Sequence, residues 1–321
     1  MLLKRAQSVQ FLSAADVKHL PPPSYLIEPI LPAGGLAVIF GASSVGKTFL
    51  ALDMALCVAT GIDWLGQYPV KKGLVVYVMA EGIGGLGRRI RAWEIAHGLK
   101  VSADTFFVPE PVQLKDPQEV KKFIALLKQQ LPDDVPPALV VIDTLARCFL
   151  GGDENSAKDM GLFIAGADAI RAATGATVLV IHHPGLKKDH ERGSTALRGA
   201  ADTVMAIEPH PATSARWLKG EKPPRDGEPF APIAFCLKQF EVGEGQTSWV
   251  VQPADSAAWP ALSAVTWTKT IGALKGFPHG VTFTAWLKAS DLPKTTFWRA
   301  VKALVAQKIV EKTNGKYFVI T

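Results

Sequence analysis

The residues Gly41-Ala42-Ser43-Ser44-Val45-Gly46-Lys47-Thr48 match G-x-x-x-x-G-K-[ST] in full, with Phe49 immediately after. Residues of these types at this spacing hold a polyphosphate. Loop N–H groups turn toward the anion, and the start of the following helix adds partial positive charge. Gly41 and Gly46 are both expected at positive φ, which permits the turn. Lys47 would reach the β- and γ-phosphates, and the Thr48 hydroxyl would join the shell of a Mg²⁺ ion. ATP with Mg²⁺ is the ligand this chemistry calls for, with Gly41 through Phe49 as its contact set.

Hydrolysis of a bound triphosphate needs a carboxylate for the metal and a second for the attacking water. Asp143 ends the apolar run Ala138-Leu-Val-Val-Ile-Asp143, a Walker B position from which it can hold the Mg²⁺ shell beside Thr48. Glu81 follows Tyr77-Val-Met-Ala at the end of another run and is the expected base; a solvated loop acid is the alternative. His182-His183 closes the run Thr177-Val-Leu-Val-Ile181, where a polar side chain could touch the γ-phosphate and sense hydrolysis. Adjacent histidines also resemble metal ligands. No neighbouring cysteine or second histidine cluster completes a zinc set, so the sensor reading is favoured, with His183 ahead of His182. Arg192, Arg198 and Lys238 are candidates for a charge donated across a subunit boundary to a neighbour's phosphates. Taken one at a time, the surface or salt-bridge reading is favoured for each.

A scaffold must carry these residues to one edge. Continuous apolar runs at 36–40, 73–79, 138–143, 177–181 and 203–207 read as strands buried on both faces. Helical spacing separates them at 49–60, which ends at Gly61, from about Gly87 with Arg88, Arg89 and Arg91, at 118–130 and at 157–173. Alternating strands and helices predict an α/β, mainly parallel sheet whose ligands sit at the carboxyl ends of the strands. Segments 232–239 and 247–252, joined by Gly243-Glu-Gly-Gln, read as a closing hairpin.

A chain of 321 residues with 48% hydrophobic and 20% charged content can bury a large core, and its length suggests about two domains. Apolar runs stop well short of the ~20 residues of a membrane span, and the first residues lack the apolar core of a signal peptide, so a cytoplasmic, non-membrane protein is expected. Cys57, Cys148 and Cys236 are widely spaced in apolar sequence and read as reduced core residues.

Three segments emerge: a Pro-rich lead-in (1–33) with Pro21-Pro22-Pro23, the α/β unit (34–256), and a tail (257–321). The tail holds nine Lys and Arg against Asp291 and Glu311, net +7, whereas the first 256 residues are net −1. An anionic partner is therefore expected at the tail. Its pattern is helix (263–275), helix (282–289), turn (290–293), helix to Gln307, then a hairpin at Asn314-Gly315, the order of a winged helix. Lys294, Arg299 and Lys302 could meet DNA phosphates while Trp298 or Thr295 approaches a base edge, with Lys312 and Lys316 flanking the wing. A unit for protein contacts with a solvated lysine face is the alternative.

With these residues placed, the chain resembles the RecA-like ATPases of the RepA type, hexameric plasmid replication helicases related to DnaB. The resemblance covers about residues 20–250 and is carried in order by Pro21-Pro22-Pro23, the strand into Gly41–Thr48, Ala80-Glu81, Val141-Ile-Asp143-Thr-Leu, His182-His183 and Arg192-Gly-Ser-Thr. It implies a RecA-like fold, ATP hydrolysis at the subunit interfaces of a homo-oligomeric ring, Glu81 as base, and movement on single-stranded DNA. Asp202 stands where a trans-acting arginine would be looked for, and the basic tail is an addition.

Overall fold

Strands that are apolar at every position need cover on both faces, and alternate residues show where it comes from. The computed structural model describes all residues except 1–10, 21, 102, 133–134, 184–194, 211–212, 226, 255–263, 307–309, 314 and 320–321. After α1 (Ala14–Lys18) comes a small hairpin, β1 (Tyr25–Ile27) and β2 (Leu31–Pro32). Then follow β3 (Leu36–Gly41), α2 (Lys47–Thr60), β4 (Val75–Met79), α3 (Leu86–His97), β5 (Thr105–Val108), α4 (Pro117–Gln130) and β6 (Leu139–Asp143). The series continues through α5 (Ala157–Thr174), β7 (Thr177–His182), α6 (Thr195–Ala200), β8 (Thr203–Pro209), β9 (Arg216–Lys222), β10 (Ile233–Gly243) and β11 (Gln246–Pro253). The nine strands from β3 to β11 form one sheet in the order β11-β10-β9-β8-β3-β7-β6-β4-β5. Pairing from β8 to β5 is parallel, and β9 to β11 extend the sheet antiparallel. The class and the mainly parallel sheet are as the sequence predicts.

Ala37, Ile39, Val75, Tyr77, Leu139, Val141, Leu179 and Ile181 pack on one face, with α2 and α3. Their neighbours Leu36, Val38, Val76, Val78, Val140, Ile142, Val178 and Val180 pack on the other, with α4 and α5. The antiparallel extension reaches α3, so α2 is enclosed on all sides and 11 of its 14 residues are buried. Gly61, left-handed at φ 80°, caps α2 as expected. The hairpin β1–β2, inside the Pro-rich stretch, buries Leu26, Ile27, Ile30 and Leu31 in the same core as α2.

Besides the β1–β2 hairpin, two strands of the large sheet are additions to the sequence expectation. Thr105-Phe-Phe-Val108 (β5) is only half-buried along its length, and Arg216-Trp-Leu-Lys-Gly-Glu-Lys222 (β9) has neither an apolar run nor clean alternation. Cys57 and Cys148 are buried thiols, while Cys236 is half-buried; all three are free.

The tail forms α7 (Ala264–Lys275), α8 (Phe283–Ser290), α9 (Lys294–Ala306) and the hairpin β12 (Val310–Thr313) and β13 (Lys316–Val319), in the expected order. Its own core gathers Leu274, Trp286, Phe297, Leu304, Val310 and Tyr317. Val281 forms a single antiparallel bridge to Tyr317 on the edge of the hairpin. Asn314 of the expected turn lies outside the described residues.

Candidate nucleotide site

Strand order decides what meets what. Reading across the carboxyl edge, β3 delivers the phosphate loop, β7 the histidine pair, β6 Asp143 and β4 Glu81. Adjacent strands lie ~4.8 Å apart, so four neighbouring strands set these groups in a row of roughly 15 Å. Residues distant in sequence thus come to one edge of the sheet. Tyr77 and Asp143 alternate in step with residues on the α2 layer, and Glu81 follows two residues past the end of β4.

Within the loop, Gly46 is left-handed at φ 101°, as expected. Gly41 does not have a positive φ; the second left-handed residue is Ser44 at φ 61°. Glycine is required at 41 for a steric reason instead: a Cβ there would meet Ile207 O at 2.9 Å and Val45 Cγ1 at 3.1 Å. Lys47 Nζ donates to Gly41 O and Ala42 O at 2.7 Å each. Burial pushes the Lys47 pKa down to about 8, against the opposing pull of the Asp143 charge.

Asp143 Oδ2 accepts a hydrogen bond from the Tyr77 hydroxyl at 2.7 Å. Burial raises the Asp143 pKa, while Tyr77 and the nearby Thr48 hydroxyl draw it down. Oδ1 is buried without an aligned donor. A hard cation takes oxygen ligands, and this oxygen beside Thr48 is what a Mg²⁺ ion would use. The residues therefore fit the metal.

Glu81 is exposed, and its Oε1 accepts from Arg147 Nε at 2.8 Å, in the turn that follows Asp143. His182 is buried at the end of β7 and shares parity with Val178 and Val180 on the layer away from α2. His183 follows the end of β7 and is half-buried. Its pKa is lowered by burial and then by the Lys47 charge, with Glu81 opposing, so it lies within electrostatic reach of both. A neutral imidazole follows near pH 7.

The AAA domain family matches residues 3–189, more than half of the chain. The chain belongs to the AAA domain family. The matched span contains the whole row, from the phosphate loop through Glu81 and Asp143 to His183. Among solved structures, the RadB recombinase matches with a TM-score of 0.48 and 18% identity, over 70% of this chain and 92% of that one. Beyond the matched AAA domain lie β8 to β11 and the tail.

Other residues singled out in the sequence fall elsewhere. Arg198 Nη2 donates to Glu221 O at 3.2 Å and lies 3.6 Å from the Glu221 carboxylate, at the amino edge of the sheet. Lys238 is exposed on β10, its ammonium 5.5 Å from the Phe240 ring centroid. Arg192 lies outside the described residues. Asp202 is structural: it accepts from Leu36 N at 2.8 Å and pairs with Arg225 at 2.9 Å and Arg171 at 3.2 Å, at the edge opposite the phosphate loop. In the tail, Lys294, Lys312 and Lys316 are exposed and Trp298 is half-exposed, while the side chains of Thr295, Arg299 and Lys302 lie outside the described residues.

Several site residues were given no role by the motif reading. Arg89 on α3 lies 5.0 Å over the Phe49 ring, and its charge draws down the pKa of Asp143. Arg147 holds Glu81, and Arg216 donates to Val45 O at 2.8 Å. Arg147 in a turn and Arg216 in a polar strand carry no spacing signal, and Arg89 is one of three arginines on its helix. Among the described residues, no cluster of metal-ligating side chains is present, and no helix is long and apolar enough to cross a membrane.

Proposed function

We propose that this chain is a Mg²⁺-dependent ATPase that acts on DNA as a homo-oligomeric ring, as a replicative helicase of a plasmid, phage or mobile element does. The observation that supports it is the row on four adjacent strands: phosphate loop, His183, Asp143 and Glu81 on one crevice. The loop amides and Lys47, whose ammonium already donates to two loop carbonyls, bind and orient the triphosphate. Asp143 and Thr48 would hold Mg²⁺, which when bound neutralises charge developing on the phosphates. Glu81, freed from Arg147, takes the proton of the attacking water, and His183, kept neutral, can donate to or accept from the γ-phosphate. A cation from the neighbouring subunit completes the site in a ring; Arg192 and Lys238 are the candidates left by the intramolecular pairing of Arg198.

Single strands in the ring and duplex at the winged-helix tail are the DNA partners of this reading. The basic three-helix unit, net +7, also supports a regulatory or recombination ATPase whose hydrolysis controls assembly on DNA. Hydrolysis measured with and without single-stranded DNA, on a forked duplex, separates the two. The helicase reading expects acceleration and strand opening. Acceleration on a fork that stays closed moves the conclusion to the second reading, and no hydrolysis under any condition removes both.

A further inference from the structure

Resting on the nucleotide reading above, we infer that Arg216 is a positioning residue that holds the phosphate loop in its binding shape from outside. A phosphate loop works with its N–H groups turned inward, so its carbonyls face away and need partners of their own. Two of them, Gly41 O and Ala42 O, are occupied by Lys47 Nζ at 2.7 Å each. An ammonium has three N–H donors, so a bound polyphosphate would share Lys47 with these carbonyls. Val45 O has a different partner, Arg216 Nε at 2.8 Å, and this bond does not compete with the ligand.

Arg216 is itself fixed. Its backbone pairs with Pro209 on β8 and with Phe235 on β10, and its Nη1 donates to Ser214 O at 2.9 Å. From the next strand, Leu237 Cδ1 would stand 3.2 Å from a Cβ at Gly46, with Arg216 Nε at 3.6 Å. The outer wall of the loop is therefore built by two residues of the antiparallel extension, a part of the chain beyond the AAA domain match. Lys47 divides its donors between the loop and the ligand; Arg216 keeps Val45 in place while the amides of the loop stay convergent.

The test titrates Mg·ADP into the full chain and into Arg216→Ala, Arg216→Lys and Lys47→Ala by calorimetry, then measures hydrolysis on the same preparations. Arg216→Ala is expected to weaken Mg·ADP about ten-fold, the low end for a charge-assisted hydrogen bond. KM for ATP should rise by the same factor with kcat within about two-fold of the parent. Arg216→Lys should recover part of the affinity, because an ammonium can reach one carbonyl but lacks the fork that also reaches Ser214 O. Added guanidinium ion, at a concentration that leaves the melting transition unchanged, should restore part of the Arg216→Ala loss, which a merely structural role would not show. Should Arg216→Ala fail to fold, Arg216→Lys carries the comparison. Parent-like affinity in the Arg216 variants, together with loss in Lys47→Ala, overturns this inference and leaves the nucleotide reading standing. A fall in kcat at unchanged KM overturns it too. A parent chain that binds no Mg·ADP overturns the nucleotide reading and this inference with it.

Discussion

The two edges of the central sheet are made by the same strands and treat charge in opposite ways. At the amino edge Asp202 is saturated: Leu36 N–H, Arg171 and Arg225 converge on its two oxygens, and Arg171 also meets Gly34 O and Asp168. At the carboxyl edge Asp143 keeps a buried oxygen without an aligned donor, and Lys47 is buried with a lowered pKa, satisfied only by carbonyls of its own loop. A cluster whose bonds are complete holds the fold together, whereas one left incomplete at a strand terminus is prepared for something to bind. The contrast makes an activity-against-stability prediction for each edge.

Changing Glu81 to Gln should have the largest effect. Removing a general base costs about 10²–10⁴ in rate, while nucleotide affinity and the melting transition should stay close to the parent's, since Glu81 is exposed and its ion pair with Arg147 is a surface one. Single-turnover hydrolysis alongside a nucleotide titration checks both halves. Retained hydrolysis would return Glu81 to a solvated loop acid.

Asp53 sharpens the rule, because it is a perturbed acid that is not at either edge. It is buried in α2, accepts from Trp64 Nε1 and Trp93 Nε1 at 2.9 Å each, and burial pushes its pKa up to about 7 despite those two bonds. The native state then binds a proton that the unfolded chain, near 3.8, has released. Stability from this group is fully present below the unfolded value and is lost as pH rises through about 7, up to about 4 kcal/mol over the window. Denaturant unfolding between pH 5 and 8 should show that decline in the parent and a flatter profile in Asp53→Asn. An equal decline in both would assign the slope to other groups.

At the amino edge, Asp202→Ala strands two arginines and the Leu36 N–H, at a cost of about 3 kcal/mol. Thermal unfolding should fall by several degrees, with Mg·ADP affinity per folded molecule unchanged. If instead affinity falls and stability does not, the two edges are not divided as described.

A smaller effect belongs to Lys47. With a pKa of about 8 in the free protein, it must take up a proton to meet phosphates when pH is above that value. Affinity for Mg·ADP should therefore fall by up to about ten-fold per pH unit above 8, and calorimetry in two buffers of different ionisation heat should show proton uptake growing over the same range. For folding the sign is reversed. The unfolded lysine, near 10.5, binds more protons than the native one between about 8 and 10.5, so this group makes stability rise with pH there.

How much of this was legible follows from where the signals live. The loop and the five apolar strands could be read because both faces of each strand are buried and the loop's glycines are forced, Gly46 by its backbone and Gly41 by Ile207 O. Asp143 and Glu81 could be placed because parallel strands bring their ends to one edge. Strand β9 could not, since its buried pair Trp217 and Leu218 is adjacent rather than alternating. With β9 went Arg216, and Arg147 escaped because its partner lies 66 positions away. The expectation for Asp202 came from an order of motifs, and only its three partners showed it to belong to the other edge.

The tail repeats the contrast at its weakest: its described lysines are exposed, and Lys269 is held only by a surface pair with Asp291 at 3.3 Å. Lys316 opens β13 and is exposed; Lys312 lies across the hairpin, its ammonium 5.5 Å from the Tyr317 ring centroid. If these lysines meet phosphates, each releases counterions, and binding constants plotted logarithmically against salt should fall less steeply by about 0.9 per lysine removed from duplex contact. Lys316→Ala should then weaken duplex binding only slightly at moderate salt, equally for every sequence, and leave hydrolysis in the absence of DNA unchanged. The slope is the better measurement than the affinity. An exposed lysine that only solvates the hairpin changes neither the slope nor the charge that DNA meets, whereas one at a phosphate changes the slope even where the affinity difference is lost in error. A slope unchanged in the Lys312→Ala, Lys316→Ala double variant would reassign the hairpin to protein contacts and leave α9, with Lys294 and Trp298, as the face for DNA.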